Sequence, residues 1–194
     1  QLAADLAGLG AEIGRGRKAL VAVLVGQQQL LAVTERGIER QRRVEERLQR
    51  LDQRDRAPRR PRRTIVFMAV SGEEKGLWGS AYYSENPIFP LEKTTVDLNI
   101  DMIGRIDPKR KIGDSTNYVY VVGDDKLSTD LRPISEANNK KYTKLELDYK
   151  YNDPKDQERI YFRSDHYNFA RRGVPIIFYF NGTHNDYHRP TDTP

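Results

Sequence analysis

A chain of 194 residues without a single cysteine is long enough to bury one core, and it has no means of forming a disulfide or a thiolate metal site. Its formal net charge of +5 is unevenly placed: residues 1–63 carry 15 Lys and Arg against 8 Asp and Glu, the remainder 18 against 20. The part holding all three His, all 11 Tyr, all 6 Phe and the one Trp is therefore mildly acidic, and offers no footing for nucleic acid.

The first apolar run, Ala19 to Val25, is too short to span a bilayer. Arg15, Arg17 and Lys18 precede it as in a leader sequence. However, residues 1–14 lie ahead of those charges and Gly26-Gln27-Gln28-Gln29 follows, with no small-x-small cleavage site. Neither a membrane span nor a working leader is expected. Gly8-Leu9-Gly10-Ala11-Glu12-Ile13-Gly14 has the glycines of a phosphate loop but the wrong spacing and no strand before it.

From Glu35 to Arg56, Ile38, Val44, Leu48 and Leu51 recur at roughly helical spacing among Glu and Arg, which predicts a charged amphipathic helix. Arg56-Ala57-Pro58-Arg59-Arg60-Pro61-Arg62-Arg63 reads as an extended linker. Residues 1–63, with no aromatic residue, have little with which to build a core. They are expected to form an Arg-rich helical or disordered arm before a domain at 64–194. Such an arm could tether an anionic surface or nucleic acid, but charge runs are commonly just solvated.

From residue 64 the rhythm is α/β. Strands are expected at Thr64–Val70, Thr95–Asp101, Tyr118–Val122, Leu145–Tyr149 and Val174–Phe180. Helices are expected at Gly76–Ser84, at Leu127–Lys140 with Pro133 in its first turns, and at Ser164–Arg172, which Gly173 ends. Apolar strands separated by helices predict a largely parallel or mixed sheet covered on both faces.

Three of these strands deliver acidic or imidazole groups at or beyond their C-terminal ends. Glu73 and Glu74 follow the first, Asp101 ends the second, and His188 lies in the loop after the last. Each has an ordinary reading alone: first-turn carboxylates for the glutamates, a turn with Gly104 for Asp101, polar loop residues for His184 and His188. His166 could be a satisfied core histidine. Asn181-Gly182-Thr183 fits a glycosylation sequon, yet beside the His188 loop it reads as a turn. Together, oxygen and imidazole donors without thiolate suit a catalytic divalent ion such as zinc. A carboxylate beside them could take a proton from bound water.

Four ordered motifs carry a resemblance. They are Ser71-Gly72-Glu73-Glu74 with Gly76-Leu77 and Gly79-Ser80, then Asn99-Ile100-Asp101-Met102-Ile103-Gly104, Arg163-Ser164-Asp165-His166-Tyr167-Asn168-Phe169-Ala170, and Asp186-Tyr187-His188 with Pro190-Thr191-Asp192-Thr193. From Arg62 onward the chain resembles the family-28 zinc metallopeptidases, bacterial leucyl-type aminopeptidases with glutaminyl cyclases as relatives. The resemblance implies Glu73 as general base, Glu74 and His188 as ligands of one zinc, and Asp101 as a ligand of a second. It further implies Tyr187 as an oxyanion stabiliser and Asp165 and His166 as supporting residues. The substrate would be a peptide or protein N-terminus, and the family is usually exported.

The family also places a His-x-Asp motif and a Gly-Ala-x-Asp-Asn-like motif ahead of the Glu-Glu strand. No histidine precedes His166 here, and residues 1–63 match neither. The resemblance therefore implies a fold incomplete at both ends, an incomplete ligand set, and an aminopeptidase impaired as it stands. Residues 1–63 then read as a misread frame or misassigned start. The alternatives are an inactive fragment or interaction module, and a single-zinc glutaminyl-cyclase-like enzyme.

Overall fold

The computed structural model describes residues 19–24 and 63–192. Among these residues six strands form one sheet: β1 Ala19–Leu24, β2 Ile65–Met68, β3 Thr94–Ile100, β4 Tyr118–Val122, β5 Glu146–Asp148 and β6 Ile176–Phe180. Their spatial order is β2-β1-β3-β6-β4-β5. Every neighbouring pair is parallel except β4 with β6. The sheet is thus mixed, and the fold is α/β.

Ala19–Leu24, which the composition break at residue 63 assigns to an arm, is an inner strand instead. Val21 stands opposite Val66 on one side and Asp97 on the other. An unbroken Ala/Val/Leu run is what a strand between two parallel neighbours requires, and six residues suffice where a bilayer would need about 20. The helix expected over Glu35–Arg56 lies outside the described residues, as does nearly all of the linker after it. Among the described residues no helix is long and apolar enough to cross a membrane.

Three helices follow the expected places with shifted ends: α1 Trp78–Glu85, α2 Leu131–Asn138 and α3 His166–Ala170. α2 begins four residues after Leu127, with Pro133 in its first turn, where a missing N–H costs nothing. It runs on into a π turn, Asn139–Thr143, which Lys144 closes in the left-handed region.

Strand alternation sends side chains to opposite faces. Val96, Leu98 and Ile100 of β3 join Val119, Val121 and Ile177 on one face, beneath Leu131 and Ile134 of α2. The other face carries Ile176, Phe178 and Phe180 with Tyr118, Tyr120 and Val122. There Phe169 and Ala170 of α3 pack, with Tyr83 of α1 against them. The same alternation places the polar residues of β3, Asp97 and Asn99, on this second face, fully buried.

Candidate active site

β2, β3 and β6 run in one direction, so their C-terminal ends share one edge of the sheet, where open α/β sheets take their ligands. After β2 the chain turns at Gly72, whose φ of 70° favours glycine, and Trp78 packs over the spot a Cβ would occupy. The 3-10 turn Glu73–Lys75 then presents both glutamates. Asp101 sits one residue beyond β3, and the loop after β6 carries Tyr187 and His188, the latter at φ 59°. Glu73, Glu74, Asp101, Arg163, Thr183 and Tyr187 line one cleft.

His188 stands at the rim. Its Nε2 lies 3.0 Å from each carboxylate oxygen of Glu74, both side chains half exposed. Tyr187 stacks on the His188 ring at 3.8 Å, and its phenol oxygen accepts a 3.3 Å hydrogen bond from Arg163. Asp101 is buried. Its Oδ2 accepts from the Ser164 hydroxyl at 2.9 Å, while Oδ1 has no partner among the described residues.

Asp165 and His166 lie beneath the cleft. Asp165 accepts from the Ser80 hydroxyl, which Asn168 approaches at 2.7 Å, and its Oδ2 is another buried oxygen without a partner among the described residues. His166 lies 2.8 Å from the Tyr161 carbonyl through Nε2, which must therefore be the N–H. Nδ1 is then the acceptor, 3.4 Å from the Asn99 amide, and the neutral ring stacks on Phe178 at 4.5 Å. Asn99 also donates to Ser164 at 3.1 Å. A polar chain from His166 through Asn99 and Ser164 thus ends on Asp101. Asn99, Ser164, Ser80 and Arg163 had no role assigned from sequence. The available signal was Asn99 as one of two polar residues, with Asp97, among the apolar side chains of β3, and the two residues directly before Asp165.

The carboxylates raise one another's proton affinity. Burial, then the charges of Asp101, Glu74 and Asp165, push Glu73 up to about 8, against the pull of Arg163. Burial pushes Asp101 up to about 6, opposed by the Ser164 hydrogen bond. Burial holds His166 down at about 4. A histidine so depressed contributes stability that is present above its unfolded value near 6.5 and lost as pH falls through about 4. His166→Gln should therefore flatten the fall in melting temperature between those two values, measured in metal-free protein.

Three further contacts hold the His188 loop. Arg105, four residues beyond Asp101, reaches Asp186 and Asp192 at 3.5 Å each, and His184 lies 3.6 Å from Asp192. Behind them Gly182, at φ 94°, presses on Asp107, where a Cβ would come within 2.5 Å of the Asp107 Cβ. The Tyr120 hydroxyl donates to Asp107 at 2.9 Å, and the Tyr118 hydroxyl binds the Asn181 carbonyl at 2.6 Å. Gly182→Ala combines left-handed strain with a clash against this buried knot. It is expected to cost about 1–3 kcal/mol in a denaturant melt.

The donor chemistry suits zinc, but the set does not fit a complete site. Among the described residues no three His, Asp or Glu side chains converge on a point that could hold a metal ion. Glu74 and His188 supply two donors, and the orphaned oxygen of Asp101 supplies one elsewhere. A catalytic zinc usually has three protein ligands and a structural one four.

The crystal structure of the LapA aminopeptidase of Legionella pneumophila superposes with a TM-score of 0.56 at 17% identity, covering 92% of this chain and 46% of its own. A second structure of Legionella LapA gives 0.54 at 20% identity, covering 93% and 48%. The chain spans about half the length of either protein, and the likeness is one of fold. No curated protein matches the sequence. The model of peptidase family M28 matches residues 46–194, beginning ahead of Arg62 and taking in every cleft residue named above. On that match, over most of its length, the chain belongs to peptidase family M28.

Proposed function

We propose that this chain carries the base and part of the metal-binding apparatus of an aminopeptidase, and that hydrolysis is impaired in the chain as it stands. The observation that supports this most is Glu73: a half-buried carboxylate at the ligand-binding edge of the sheet, facing Asp101 and Glu74, with its proton affinity raised to about 8. A general base works best with a pKa near the operating pH. Glu73 takes a proton from the water that attacks the scissile carbonyl and returns it to the leaving amine. The Tyr187 phenol, in the same cleft, donates to the oxygen that becomes negative. Glu74, Asp101 and His188 would be the donors for zinc. With only Glu74 and His188 meeting and Asp101 apart from them, they would hold it weakly.

Zinc per chain after dialysis, with release of amino acid from aminoacyl anilides, tests both halves. Near-zero zinc with slow release on added zinc is the expected result. About two equivalents with rapid release would overturn the impairment. No release at any zinc concentration would make the chain an inactive member. Cyclisation of N-terminal glutamine without release would favour the cyclase reading.

A further inference from the structure

Glu73, Glu74 and Asp101 share the cleft with the donors Arg163, Thr183 and Tyr187. Arg163 is exposed, and the only polar contact of its guanidinium among the described residues is the 3.3 Å bond to the Tyr187 phenol. It pairs with none of the three cleft carboxylates, although its charge is felt at both Glu73 and Tyr187. The Thr183 hydroxyl, in the same cleft, has no hydrogen-bond partner among the described residues. An arginine and a hydroxyl left with spare donors in a cleft suit a carboxylate, because the planar guanidinium matches its two oxygens.

We propose that Arg163, with Thr183, binds a carboxylate of the peptide substrate, so that this cleft takes zwitterionic or acidic short peptides. This rests on the aminopeptidase reading for the orientation of the ligand. The N-terminal ammonium lies at the Glu73–Glu74–Asp101 end, and the carboxylate lies beyond the scissile bond, against Arg163. The carboxylate is either the C-terminus of a dipeptide or an acidic side chain after the scissile bond.

Binding to the full metal-free chain, measured by calorimetric titration, needs no turnover. The dipeptide Leu-Gly should bind about 10-fold more tightly than Leu-Gly amide, one charge-assisted contact in size. Arg163→Gln should bring the two level, Arg163→Lys should recover part of the difference, and Tyr187→Phe should retain it. A preference for Leu-Glu amide over Leu-Gln amide, in place of the first, assigns the carboxylate to a side chain. Equal binding within both pairs, a preference that survives Arg163→Gln, or no binding at all would overturn the proposal. N-acetyl-Leu-Gly separates the two ideas. If it binds as tightly as Leu-Gly and depends on Arg163, the carboxylate site stands and the aminopeptidase orientation falls.

Discussion

Glu73→Gln should lower peptide hydrolysis by the zinc-supplemented chain about 100- to 10,000-fold, the range for loss of a positioned general base. Glutamine keeps the shape of the side chain and removes the charge, so circular dichroism should not change. A second readout needs no activity. The folded value of Glu73 is about 8 against an ordinary value of 4.5, so the folded state holds a proton that the unfolded chain has released. The stability this contributes is fully present below 4.5 and is lost as pH rises through about 8. Asp101, raised from 3.8 to about 6, acts in the same direction over a lower window. Metal-free wild type should therefore melt lower at pH 9 than Glu73→Gln, with a smaller gap at pH 5. Equal gaps at both values would mean that Glu73 ionises normally, and the base assignment would lose its support.

Phe169→Ala is expected to cost about 3–5 kcal/mol, read as a lower urea midpoint at unchanged slope. Phe169 is fully buried and joins α3 to the sheet beside Ile176 and Val174, with the Tyr83 ring of α1 5.8 Å away. Its loss leaves a cavity where α1 and α3 meet. Those two helices bring together Ser80 and Asp165, the hydrogen bond beneath the cleft. Phe169→Leu, which keeps most of the volume, should cost far less. A cost for Phe169→Ala below about 1 kcal/mol would show that α3 is not anchored through this ring.

Much of the site was legible because it is local. Glu73, Glu74 and Asp101 each follow a β-branched apolar run by a few residues, and a strand end is marked in the chain itself. The strands β3, β4 and β6 were equally plain, since from Val96 onward a run buried on both faces has no polar interruption beyond Asp97 and Asn99. The start of α2 was less so. Leu127 fits the helical period, yet the helix begins at Leu131, because a pattern of apolar residues places a helix more firmly than it places an end.

The role of Ala19–Leu24 was not legible. A six-residue apolar run is compatible with a strand, a buried helix turn or a leader, and its partners Ile65–Met68 and Thr94–Ile100 lie far along the chain. The antiparallel pairing of β4 with β6 was hidden for the same reason. So were the links that build the cleft: His188 to Glu74 across 114 residues, Asn99 to Ser164 across 65, and Ser164 to Asp101 across 63. Side-chain type and short-range periodicity are properties of neighbours in the chain, and from them come the strands, the helices and the chemical kind of the cleft residues. Which carboxylate meets which histidine, which face holds Asn99, and which arginine keeps a free donor depend on packing between distant segments, and only the folded sheet brings those segments into contact.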